Sequence, residues 1–375
     1  MLQNPPIPSL AEVKAVIPAH CFERSFARSA LYAMMSLLLT IGGGIAGWML
    51  LPLSWQAIPL WLVYGYVMGT IATGVWVVAH ECGHRAFSTG TRAQDVVGFV
   101  LHTALLVPYF SWQRSHAIHH GKTNHLIEGE THVPKRNDHP RGVRALAARR
   151  RIGVRTHGAF TIASRLTVGW PAYLVAGLTG GAERGVTNHF WPRRPFSGAL
   201  FPDRWKRKVH WSSIGVVIMI LALGSAAYLT GEYVRLAAVY LLPYLFVNGW
   251  LVTYTWLQHT NEDVPHYADG DWSFVRGAFC SVDRPYGPIA NFLHHGIGTT
   301  HVAHHLDAKI PHYHAAEATK AIATAFPALY RFDSTPIRKA MWRIAKNCHV
   351  VAPTQDGWQF VEVEAHLANE FPQAA

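Results

Sequence analysis

Residues 57–84 read AIPLWLVYGYVMGTIATGVWVVAHECGH. Positions 57–79 contain no charged side chain, and His80, Glu81, Cys82, Gly83 and His84 follow at once. About 20 apolar residues suffice to cross the hydrocarbon core of a bilayer. The run is apolar on every face, whereas a helix packed on a soluble core carries one apolar stripe. The stretch therefore reads as a transmembrane helix with two histidines at one end.

Three further runs without charge, 29–51, 211–231 and 236–257, have the same character. Together the four predict an all-α integral membrane fold, with four transmembrane helices in two hairpins. Residues 1–28 form an N-terminal segment, and 29–375 one membrane unit with extramembrane regions 80–210 and 258–375. Two shorter uncharged stretches, 96–113 and 166–182, are interrupted by Pro108 and Pro171 and read as interfacial or re-entrant.

Composition supports lipid as the solvent: 50% of the 375 residues are hydrophobic and 15% charged, against about 25% charged in soluble domains. The net charge is +11, and its distribution is more informative than its size. Of 33 Lys and Arg residues, 32 fall on one side of the two-hairpin arrangement, Arg235 being the exception. Positive-inside orientation makes that side cytosolic, with both termini and a helical cap. Arg149, Arg150 and Arg151, and Arg204, Lys206, Arg207 and Lys208, are placed to meet anionic headgroups. No basic recognition motif points to nucleic acid. Cys21, Cys82, Cys280 and Cys348 show no CxxC spacing, which fits a reducing compartment. The N-terminal twenty residues lack the pattern of a signal peptide.

The chain carries 24 histidines, and nine of them are grouped. His80 and His84 form HECGH, His116, His119 and His120 form HAIHH, and His301, His304 and His305 form HVAHH, while His259 follows the fourth apolar run by two residues. Helical positions three and four apart share a face, so each cluster can aim its imidazoles at one point. All nine lie on the same side of the predicted membrane. One metal takes three or four such ligands, so nine imply two metals. Nitrogen donors suit Fe, Zn, Cu or Ni alike. Residues 80–84 are also a literal HExxH, the zinc-protease pattern, which would leave two clusters unexplained. A non-enzymatic membrane protein for metal binding or transport is a third alternative. His102 reads as a buried structural histidine, His125, His132, His312 and His314 as neighbours of the site or plain surface, and His295 as a neighbour of the site or a structural residue.

The three clusters and their surroundings resemble the membrane fatty-acid desaturases of the Δ12 and ω3 acyl-lipid type. The likeness extends through KAVIPAHCFERS at 14–25, PYFSWQRSHAIHH at 108–120, TWLQHTNEDVPHY at 255–267, WSFVRGAF at 272–279 and THVAHHLDAKIPHYHAAEATKAI at 300–322. It covers roughly residues 5 to 345. The resemblance implies a non-haem centre of two Fe ions that uses O2 to place a cis double bond in a lipid-linked acyl chain, with His259 as the ligand outside the boxes. It implies Δ12 chemistry, oleoyl to linoleoyl, with ω3 desaturation or hydroxylation as alternatives on the same site. Departures are Arg85, where many plant members carry a further histidine, and Ala117 and Ile118 in the second box. Ala303 and the LQHT…PHY segment lean toward Δ12.

An unactivated methylene yields hydrogen only to a strong oxidant, which needs a redox metal, and zinc has no redox chemistry. Electrons would come from a separate ferredoxin or cytochrome b5-type donor, steered to the basic face. In a bacterial cell the host membrane would be the inner one. Glu81, Glu128, Asp263 and Asp307 are candidate carboxylates around the metals, and Trp250, Tyr254 and Trp256 candidate walls of an acyl channel.

Overall fold

A computed structural model describes residues 5–361. Among the described residues, four helices are long and apolar enough to cross a membrane: Phe26–Leu50, Trp55–His84, Asp203–Thr230 and Tyr233–Leu257. The protein is an all-α integral membrane protein with a very small sheet in its cap. Leu38, Met49, Ile218, Leu221 and Leu229 are among many large apolar side chains left exposed along the first and third spans. Water would penalise such a surface and lipid does not.

The second and fourth spans form the centre of the molecule. Helices in lipid gain no hydrophobic drive from association and depend on close packing of small residues. Gly69 provides it here: a Cβ at that position would stand 2.4 Å from Cβ of Phe246 and 2.7 Å from the Pro243 carbonyl. At the end remote from the histidines, Arg235 donates to the Trp48 and Leu51 carbonyls at 2.8 and 3.0 Å. The lone positive charge on that side thus caps the C-terminus of the first span, where cations are favoured.

Sequence placed the second span's end at residue 79. The helix instead continues without a break through His84, and Arg85 ends it in the left-handed conformation at φ 67°. The first box is the last turn of the span itself. Near Pro108 the uncharged stretch bends as expected, with Thr91–Ala104 and Tyr109–Gly121 meeting at 105°. Pro171 does not break its stretch. It lies inside the helix Val154–Ala176, which packs between the fourth span and the helix Ile337–Asn347. Tertiary contact there outweighs the hydrogen bond that proline removes.

A three-stranded sheet that the sequence did not suggest joins two distant parts of the cap. Strand β1 (Lys135–Arg136) runs parallel to β2 (Val350–Thr354), and β2 pairs antiparallel with β3 (Gly357–Phe360). At the other edge of the cap, the helix Leu10–Val16, begun by a capping box between Ser9 and Glu12, leads into residues 17–22. Val13, Ile17 and Cys21 from this segment are buried against Val302, Leu306 and Ile322.

Candidate metal centre

Four elements bring the nine grouped histidines together. His80 and His84 come from the end of the second span, His116, His119 and His120 from the helix Tyr109–Gly121, and His301, His304 and His305 from the short helix His301–Leu306. His259 lies just past the fourth span. The rings divide into two sets. Ligand atoms of His80, His84, His116, His120 and His304 lie within 4.8 Å of one another, as do those of His119, His259 and His305. His301 joins the second set, its Nε2 at 2.9 Å from that of His259 and 3.1 Å from that of His305.

The spacing of the ring nitrogens is itself informative. Successive Nε2 atoms along His84, His80, His116 and His120 are 3.2, 3.0 and 3.2 Å apart. His119 Nε2 is 3.0 Å from that of His259, which continues the second set. A metal with nitrogens at about 2.1 Å has edges of about 3.0 Å in octahedral and about 3.4 Å in tetrahedral geometry. Hydrogen bonding among neutral rings cannot supply the same satisfaction, because each Nε2 offers one proton or one lone pair and the inner rings face two neighbours. The donor set therefore fits metal ions, one in each group.

Neighbouring groups set the ring tautomers. His119 Nδ1–H donates to the Glu130 carbonyl at 2.9 Å, which turns the Nε2 lone pair inward. Thr123 donates its hydroxyl proton to the His119 carbonyl at 2.8 Å and accepts His305 Nδ1–H at 2.9 Å, with the same result. Burial, followed by the neighbouring imidazoles, holds His259, His301 and His305 well below the usual histidine value, and His304 is pushed down to about 4. Neutral rings are the form that binds metal.

Two buried polar groups fix the backbone that carries these rings. Asp283 accepts the N–H groups of His301 and Val302 at 2.5 and 3.0 Å and so caps the third-box helix. Arg284 is fully buried and embraces the segment around His259, donating to the carbonyls of Leu257 (2.8 Å) and Thr260 (3.3 Å) while pairing with Asp333. Sequence reasoning passed over both, although a charged Asp-Arg pair inside the uncharged surroundings FCSV and PYGPIANF was a usable signal of burial. Gly83 was also passed over. A Cβ there would stand 2.5 Å from Trp112, whose ring stacks on His116 with centroids 4.6 Å apart.

The remaining candidates separate clearly. Glu81 is buried beside the first set, 3.9 Å from His80 Nδ1, and accepts the His312 backbone N–H at 2.9 Å. Glu128, Asp263 and Asp307 instead pair with Lys122, Arg331 and Lys14 at the surface of the cap. His102 is buried among Trp76, Trp112 and Tyr109. His125 pairs with Asp269, His132 bridges Thr255 and Arg165, and His295 meets Ser36. The expected aromatic wall is elsewhere: Trp250 donates to Thr70, Tyr254 bonds His294, and Trp256 lies under the Arg165 guanidinium. An apolar cavity does reach the site, with His116 in its lining together with Trp112, Trp170, Tyr173, Leu251 and Val252. Residues 251 and 252 share a helix with the three aromatics but present another face of it.

Helical spans, a convergent polyhistidine site and an apolar cavity at its edge define a membrane enzyme built to bring metal chemistry to a hydrocarbon chain. Residues 53–335 match the fatty acid desaturase family, to which the chain belongs. It is 41% identical over 352 residues to an omega-6 fatty acid desaturase, endoplasmic reticulum isozyme 2, of Glycine max, covering 92% of this chain and 88% of that protein. A delta(12)-acyl-lipid-desaturase of Punica granatum is also 41% identical, over 93% of this chain and 88% of its own. An oleoyl-12-hydroxylase of Ricinus communis is 39% identical, over 94% and 88% respectively. The protein is thus an oxidoreductase acting on fatty acyl chains with O2, and the zinc-protease reading of HECGH is set aside.

Proposed function

We propose that the nine histidines hold two iron ions, five rings around one and four around the other, and that the protein is a Δ12 acyl-lipid desaturase converting oleoyl to linoleoyl chains. The observation that carries the metal assignment is the run of Nε2 separations between 2.9 and 3.2 Å within each set. The names of the relatives from Glycine max and Punica granatum support the regiochemistry. The irons, when bound, supply the oxidising power that no side chain has. Removing two hydrogens from adjacent methylenes consumes one O2, two electrons and two protons, and leaves a cis alkene and two waters.

The protein's own contribution is placement and exclusion. Leu251, Val252, Trp170 and Tyr173 give the acyl chain an apolar path that ends at His116. Buried rings and a buried Glu81 keep bulk water from the reacting methylenes. Thr123 and the Glu130 carbonyl keep two imidazoles in the metal-binding tautomer. We further place the site and both termini in the cytosol, with electrons arriving from an acidic ferredoxin or cytochrome b5-type protein at the basic cap.

Hydroxylation is the second reading, since the Ricinus communis relative is nearly as similar as the desaturases. Both share every proposed ligand and differ in how the acyl chain lies. Expression in a host supplying oleoyl and linoleoyl lipids separates them by product: diene for Δ12 desaturation, triene for ω3, hydroxy acid for hydroxylation. Metal analysis should give about two irons per chain. His84→Ala, His120→Ala and His305→Ala should each abolish product while the protein still inserts. Full activity in any of the three would defeat the ligand assignment.

A further inference from the structure

A second gathering of metal-ligating groups lies away from the histidine centre, where the N-terminal segment meets the helix His312–Ala325. His20 Nε2 is 2.8 Å from Glu317 Oε2, and Cys21 Sγ is 3.8 Å from the same nitrogen. The His314 ring stands edge-on to His20 with centroids 5.5 Å apart. One ligand atom from each of the four residues lies within 4.8 Å of all the others. Tetrahedral zinc, with sulfur at about 2.3 Å and nitrogen or oxygen at about 2.1 Å, has edges of about 3.6 Å between sulfur and nitrogen and about 3.4 Å between nitrogen and oxygen. The sulfur edge is already close to that length. The His20–Glu317 pair, at 2.8 Å, must open by roughly half an ångström.

The donor chemistry is as specific as the geometry. A thiolate and a carboxylate together neutralise a divalent cation, and two imidazoles complete four-coordination without added charge. An ion pair between half-exposed His20 and Glu317 would by itself stabilise little. Apolar packing against Val302, Leu306 and Ile322 accounts for the burial of Cys21 but not for the second imidazole, His314, beside the pair. The segment is held on both sides of the cluster: Lys14 pairs with Asp307 at 2.8 Å, and the Ser25 N–H donates to the Tyr313 hydroxyl at 2.9 Å. Such anchoring lowers the entropy lost when the ligands are ordered on a metal.

We propose that His20, Cys21, His314 and Glu317 form a structural zinc site that fastens the N-terminal segment to the helix following the third histidine box. The first residue of that helix, His312, donates its N–H to Glu81 beside the first box. The zinc site therefore braces the part of the cap that keeps the first and third boxes in register.

The test uses full-length protein purified in detergent, with zinc and iron counted per chain. About one zinc beyond the metal of the histidine centre is expected, and Cys21→Ser and His314→Ala should lose it while iron content stays unchanged. Replacement by Co2+ should add a thiolate-to-metal charge-transfer band in the near ultraviolet, a signature that an all-imidazole centre cannot give. Cys21→Ser should abolish the band. Glu317→Gln, at an exposed position, provides a variant expected to accumulate normally and to bind zinc about tenfold more weakly. The proposal is overturned if chelator-stripped protein takes up no zinc beyond the histidine centre. It is equally overturned if the cobalt band survives Cys21→Ser, or if Glu317→Gln binds zinc as tightly as the parent.

Discussion

Thr123→Val separates the positioning of a ligand from the ligand itself. Valine has nearly the shape of threonine but no hydroxyl, so volume is kept while the bonds to the His119 and His120 carbonyls and to His305 disappear. The His119 carbonyl loses its 2.8 Å donor and His305 Nδ1 its 2.9 Å acceptor, both in buried surroundings. A buried donor left without a partner costs about 1–3 kcal/mol. At about 1.4 kcal/mol per factor of ten, iron affinity should fall by roughly five- to 150-fold, in line with losses of about 10- to 100-fold for partners of metal-bound histidines. The assay is competition for iron against a chromophoric chelator, with desaturation measured in parallel. Thr123→Ser restores the hydroxyl and should recover most of the affinity. A valine variant that holds iron within about twofold of the parent would show that Thr123 does not set the His305 tautomer.

Gly83→Ala would push a methyl group into Trp112 and through it displace His116. We expect a loss of about 1–3 kcal/mol in stability and depletion of metal at the first set, checked by thermal unfolding and metal content. Arg284→Lys keeps the charge but loses the fork that spans Leu257, Thr260 and Asp333, and should cost about 3–5 kcal/mol. Its melting temperature and activity should fall together. Burial alone would raise the Asp333 carboxyl, but bonds from Thr335 and the Arg284 and Arg343 cations hold it below its ordinary value of 3.8. Because the folded value is the lower one, the stabilisation is complete above about pH 5 and is lost as pH falls through and below about 4. Melting curves recorded from about pH 5 to well below 4 should show this slope, and Asp333→Asn should flatten it.

The spans and the histidine clusters were legible because they are local signals: charge-free runs of sufficient length, and imidazoles at helical spacing. His259 was legible by its position two residues beyond such a run. Groups that hold the site from a distance were not. Asp283 reaches the amide of His301 across 18 positions, and Thr123 meets His305 across 182. No periodicity encodes such pairs, which exist only after the chain has closed on itself. That Trp250, Tyr254 and Trp256 stay out of the lining of the cavity beside His116 was hidden for a related reason. Trp250 and Tyr254, four apart on one helix, share a face that Leu251 does not, and hydrophobicity alone does not say which side meets the cavity. Pro171 was read by propensity as a breaker, and packing against two helices overrode it.

The proposed ligands span His80 to His305 in chain order, which fixes when the centre can be completed during synthesis. After the first box emerges, the ribosome must add roughly 200 residues before the third, a delay of about 10–40 s at about 5–20 residues per second. Through that interval five imidazoles from the first two boxes are tethered to the bilayer, four of the five rings of the first set and His119 alone of the second. Histidine nitrogens bind zinc more tightly than ferrous iron. Cells that make this protein quickly while starved of iron should therefore accumulate correctly inserted chains that carry the wrong metal, and iron supplied during translation should rescue more activity than iron supplied afterwards.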